Sequence, residues 1–190
     1  MARRIGTVSG IALRPGVSRN GRLYTKEMVA EAVERAQGRL GDLDALPLVD
    51  RRPLDQRTHH ASDDDSTRVI GRLTSLSLES DGSARFTADL ADTAHARTIA
   101  ALIAPKGDGP DEVEPFLKGV SIRGAWVGKP RRVQHEGQDV ETADGVVIDG
   151  LDYTARPGVH GAEIDGYTPA TPASAPGESE PERVLIYESV

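Results

Sequence analysis

The 20 Gly and 12 Pro of this chain fall between short apolar segments and do not collect in one block. Both residues interrupt regular elements, so this distribution admits short pieces joined by turns, and many short strands fit it best. Segment 5–13, with Ile5, Val8, Ile11 and Leu13, reads as a first strand. Thr25 then predicts the cap of a helix over about 26–38, ended by Gly38 and Gly41. Met28, Val29, Ala32, Val33, Ala36 and Leu40 form its apolar stripe, and Glu31–Arg35 is a favourable i,i+4 pair. A second strand region starts at Ala45–Val49 and continues unevenly to His60. Leu73–Glu79, the turn Asp81-Gly82 and the alternating Ala84, Phe86, Ala88 and Leu90 predict a hairpin.

A second helix is expected over about 94–104, capped by Asp92 or Thr93, with Ala96, Ile99, Ala100, Leu102 and Ile103 inward. Residues 105–115 read as a polar loop. Further strands are expected at 116–128, 131–135, 139–142, 146–155 and 162–167, with turns at Glu136-Gly137 and Asp144-Gly145. Beyond this the character changes. Pro, Ala, Ser and Glu dominate without large apolar residues, which is the composition of a linker. The organisation expected is one domain over 1–167, a linker over 168–183, and a short apolar segment over 184–190.

Composition narrows the function classes. With no cysteine there is no disulfide framework, thiolate metal site or cysteine nucleophile. No apolar run reaches the ~18–20 residues of a membrane span. The basic start Met1-Ala2-Arg3-Arg4 lacks the apolar stretch of an export signal, so an intracellular globular domain is expected. The 23 Lys+Arg against 30 Asp+Glu leave a net charge of −7, and aromatics are few. That balance argues against nucleic acid, which needs clustered cations and stacking platforms.

Three constellations could carry chemistry. Thr58-His59-His60 followed by Asp63-Asp64-Asp65 has metal-ligand residue types, but adjacent histidines on a strand face opposite ways and the Asp run resembles a solvated turn. No metal and no cofactor are expected. Phe116-Leu117-Lys118-Gly119-Val120-Ser121-Ile122-Arg123-Gly124 places a serine in an apolar strand. Such a serine is most often a small polar residue on a wet face. Here the flanking glycines permit close backbone approach, and Arg123 offers charge and an N–H for an oxyanion. Asp149 and Asp152 sit on another apolar strand, where an inward carboxylate either orients a histidine or is satisfied by backbone N–H groups.

Together these segments resemble the phage head-maturation (prohead) proteases, relatives of the herpesvirus assemblins. The resemblance is carried by Asn20-Gly21-Arg22-Leu23-Tyr24 before a helix, by Leu46-Pro47-Leu48 leading to Thr58-His59-His60, and by Val69-Ile70-Gly71-Arg72. Gly119-Val120-Ser121 with Arg123-Gly124, and Leu151-Asp152 followed by Pro157, complete it, over about residues 10–167. It implies a mainly-β fold with flanking helices, an assemblin-like β-barrel. It implies a serine endopeptidase with Ser121 as nucleophile and His60 as base, His59 being the alternate. Asp152, with Asp149 as alternate, would be the third member, and Arg123 would support the oxyanion. Substrates would be scaffold and major capsid protein in a procapsid in the host cytoplasm. Self-processing near Ala173-Ser174 and a homodimer are implied as well. The alternative is a non-catalytic barrel that binds capsid protein during assembly.

Overall fold

A computed structural model describes residues 3–40, 47–50, 69–104 and 114–171. Eleven strands and two helices occur among them. Strand β1 (Arg4–Leu13) is followed by the short β2 (Gly16–Val17) and β3 (Leu23–Tyr24), which pair with each other. Helix α1 (Lys26–Gln37) begins where the Thr25 hydroxyl accepts the Met28 N–H at 3.2 Å, which satisfies one of the open amides of its first turn. Its buried face is Met28, Val29, Ala32, Val33 and Ala36, and Arg35 donates to Glu31 at 2.7 Å. Strand β4 (Pro47–Asp50) precedes the hairpin of β5 (Val69–Leu78) and β6 (Ala84–Ala91). That hairpin turns at Gly82, whose φ of 89° suits glycine, while Asp81 accepts the Ser83 N–H at 2.8 Å.

Helix α2 (Ala94–Ile103) is capped by Thr93, which accepts the Ala96 N–H at 3.1 Å. Ala96, Ile99, Ala100 and Ile103 are buried as expected. Leu102 lies off that i, i+3, i+4, i+7 stripe and is only half-buried. The chain closes with β7 (Val120–Val127), the β8 (Arg131–His135) and β9 (Gln138–Thr142) hairpin, β10 (Gly145–Tyr153) and β11 (Ile164–Pro169). The last strand exceeds its predicted end. Thr168 and Pro169 pair with Thr7 and Gly6, two residues into the segment read as linker. Proline is tolerated there because β11 is an edge strand, whose outer side needs no N–H. The rest of that segment, from 172, and the apolar 184–190 lie outside the described residues, as does nearly all of the 105–115 loop.

Seven strands form one sheet in the order β11-β1-β6-β5-β4-β10-β7, antiparallel throughout except for the parallel pair β4–β10. The expected closed barrel does not form among the described residues. Its two edge strands meet at one corner only, through the isolated bridge Gly119↔Glu163. There Val120 N–H donates to Ala162 O at 2.9 Å and Ile164 N–H to Lys118 O at 2.7 Å. Beyond this corner β11 follows β1 and β7 follows β10, so the edges part before a ladder can develop. Helix α1 packs over β10 and β5, and α2 packs against β5, β4 and β11. One core runs through all of these, filled mostly by Val, Ile, Leu and Ala around Phe86 and Tyr153.

Candidate active site

Alternation along β7 sorts its side chains onto two faces. Val120, Ile122 and Trp126 share the face that carries Tyr153, Leu151 and Val146 of β10, their partners in register. Ser121 and Arg123 share the other face. Ser121 is the direct cross-strand partner of Asp152, and Arg123 is opposite Gly150. Direct partners in an antiparallel ladder hold their Cβ atoms about 5 Å apart on one face. Asp152 is 5 % exposed and is the only charged residue in the buried set of the described chain. A buried carboxylate directly across from a serine makes this position a functional candidate on geometric grounds.

The remaining predicted residues take different places. Asp149 occupies the irregularity between Ile148 and Gly150, where β10 carries one residue more than β7. It is half-exposed and accepts from Arg39 at 2.8 Å, at the end of α1. That engagement occupies it with the residue that follows the α1 cap. Arg123 is half-buried on the Ser121 face, with no carboxylate at ion-pair distance among the described residues. His59 and His60 lie outside the described residues, as do Asp63–Asp65. The chain enters that segment from β4, whose register sets Val49 against Asp152 and Asp50 against Tyr153. Among the described residues no group of three His, Cys, Asp or Glu could hold a metal ion.

Among the described residues no strand pairs with the edge of β7 remote from β10. Val120 N–H donates to Ala162 O, two residues before β11, and Val127 O accepts from Asp144 N–H on the β10 side at 3.1 Å. By alternation, the backbone groups of Ile122 and Gly124 face outward, and no backbone partner meets them among the described residues. Gly124 is required for the inner pairing. A Cβ there would stand 1.8 Å from Val147 O. Gly124→Ala is therefore expected to lose about 1–3 kcal/mol, read as a lower urea midpoint, because backbone rather than a flexible side chain must move.

Beside this edge lies a cavity of about 180 Å³. Ser121, Ile122, Gly124 and Trp126 line one side of it, and alternate residues of the Ser18–Tyr24 arm line another. Gly158 and Val159 also contribute to its lining. The arm is held at both ends: Ser18 Oγ accepts Arg22 N–H at 3.1 Å, Arg19 N–H donates to Gly158 O at 2.8 Å, and Glu141 N–H donates to Gly21 O at 2.8 Å. Tyr24 stacks on Trp126 with ring centroids 5.4 Å apart, and the Arg22 guanidinium lies 6.0 Å from the indole centre. Glu141 accepts from the indole N–H at 3.2 Å and pairs with Arg22 at 3.7 Å. Burial pushes the Tyr24 phenol above its ordinary pKa, against the opposing charge and hydrogen bond of Arg22.

Asn20, Arg22 and Tyr24 were legible only as an entry to α1. Their period of two was the signal that they line one wall. Trp126 and Glu141 were not singled out at all, although Trp126 is the only tryptophan in the chain.

The described chain is thus a mainly-β domain with two helices, carrying a Ser–Asp cross-strand pair beside an open strand edge. No protein-family model matches it, and no curated protein matches it significantly.

Proposed function

We propose that this chain is a serine endopeptidase of the prohead-protease kind, with an assemblin-like fold whose barrel is left open between β7 and β11. The observation that carries the reading is the placement of Ser121 directly across from the buried Asp152, with Arg123 on the same face. A serine in a wet strand needs no buried acid beside it; a nucleophile with an oriented base does. In this reading His60 removes the Ser121 proton as Oγ attacks a peptide carbonyl, and returns it to the leaving amine. Asp152 holds the imidazole in the right tautomer, Arg123 supports the oxyanion, and water releases the acyl-enzyme. The open edge of β7 supports it too, since an extended substrate can pair with the outward groups of Ile122 and Gly124.

The substrates are scaffold protein and the N-terminal part of the major capsid protein, cleaved inside a procapsid in the host cytoplasm by a homodimer. Self-cleavage near Ala173-Ser174 belongs to the same activity. A net charge of −7 suits protein partners better than the genome. The test is an aryl fluorophosphonate probe on purified, assembled protein. One adduct is expected, on the tryptic peptide spanning 119–123, and it disappears in His60→Ala. An assembled protein that takes no label at Ser121 sinks the proposal.

A further inference from the structure

We infer that the cavity between the Ser18–Tyr24 arm and the β7 edge is a specificity pocket for one uncharged, apolar side chain of an extended peptide. The inference rests on the peptidase reading only for the ligand being a peptide. Its walls are otherwise sufficient to define the chemistry. Ile122, Tyr24, Trp126, Val146 and Val159 supply apolar surface, and a volume of about 180 Å³ is enough for several methylenes or one ring. Among the described residues of the lining Arg22 is the only charged one, and it is engaged by Glu141 at 3.7 Å and lies over the indole. A ligand carboxylate must therefore compete with Glu141, and a ligand cation meets a guanidinium. Neither sign is favoured.

Ser121 lines the same cavity as Ile122, Gly124 and Trp126, so a side chain held there lies beside the candidate nucleophile. A strand added along the edge of β7 would present alternate side chains to it. Selection is carried by the apolar walls and not by Ser121 Oγ, so the two are separable by substitution.

The experiment uses full-length Ser121→Ala protein and follows the emission of its single tryptophan, Trp126. Blocked hexapeptides identical except at one position (Gly, Ala, Val, Leu, Phe, Glu or Lys) are titrated in turn. Leu, Val and Phe are expected to bind at least ~10-fold more tightly than Gly, Glu or Lys, with a shift in emission. Affinities within twofold across the series, or preference for Glu or Lys, overturn the proposal. Val159→Asp on the pocket wall is expected to remove the Leu preference; retention of it in a folded variant also overturns the proposal. Ile122→Ala serves if Val159→Asp does not fold, with an expected fall of at least ~3-fold in the Leu-to-Gly ratio. Graded binding by Ser121→Ala, with an unsubstituted protein that neither hydrolyses the peptides nor takes phosphonate at Ser121, upholds the pocket and removes the peptidase. Hydrolysis without side-chain preference does the reverse.

Discussion

Ser121→Ala is expected to lower hydrolysis of a scaffold-derived peptide on the order of 10⁴-fold or more, leaving the fold unchanged. The loss is large because removal of Oγ ends acyl-enzyme formation outright, whereas the remaining groups only bind and polarise. Asp152→Asn in the same assay separates two roles. If the carboxylate orients the base, the amide sustains the buried geometry yet reverses the tautomer preference, and kcat falls by about 10²–10⁴-fold. Progress curves at saturating substrate, with urea midpoints measured alongside, check both variants. Stability of Ser121→Ala should stay within about 0.5 kcal/mol of the parent, since Ser121 is half-buried and makes no side-chain hydrogen bond among the described residues. A Ser121→Ala protein that still turns over peptide at the parental rate would falsify the nucleophile.

Phe86→Ala is expected to be the most damaging single truncation in the core, at about 3–5 kcal/mol. The chain has 2 Phe, and the other, Phe116, is 60 % exposed. Phe86 is fully buried between Gly10 of β1 and Leu76 of β5, its partners in the two flanking ladders. Its neighbours are aliphatic residues and alanines, which have few rotamers with which to close a ring-sized void. Since whole domains hold only about 5–15 kcal/mol, such a loss removes a large share of the total. Urea unfolding followed by far-UV circular dichroism measures it. A loss under ~1 kcal/mol would show that the site collapses on itself.

Much of this fold was written locally. Thr25 and Thr93 sit immediately before apolar residues at helical spacing, and both helices begin within a residue of where those caps place them. Asp81-Gly82 between two alternating runs marks a hairpin because only a turn with positive φ joins such strands compactly. Ser121 and Asp152 could each be noted as polar residues in apolar strands. Their meeting could not, because they stand 31 positions apart and their pairing depends on register. A shift of one residue would put them on opposite faces. Asp149 illustrates the same limit. Three residues from Asp152, it was the alternate candidate, and the extra residue in β10 and the reach of Arg39 separate the two.

By itself the sequence determined what depends on neighbours along the chain: the caps, the turns, the alternation, the missing thiol and the scarcity of large rings. Its scattered Gly and Pro favoured short strands joined by turns, and its cysteine-free composition left a hydroxyl as the candidate nucleophile. Tertiary structure alone decided that, among the described residues, β7 and β11 do not close the sheet, since the two edges touch at Gly119 and Glu163 and then follow different partners. It also decided that Asn20, Arg22 and Tyr24 line one cavity together with Trp126. Strand order and register are set by long-range burial summed over the whole sheet, and no local segment carries that sum.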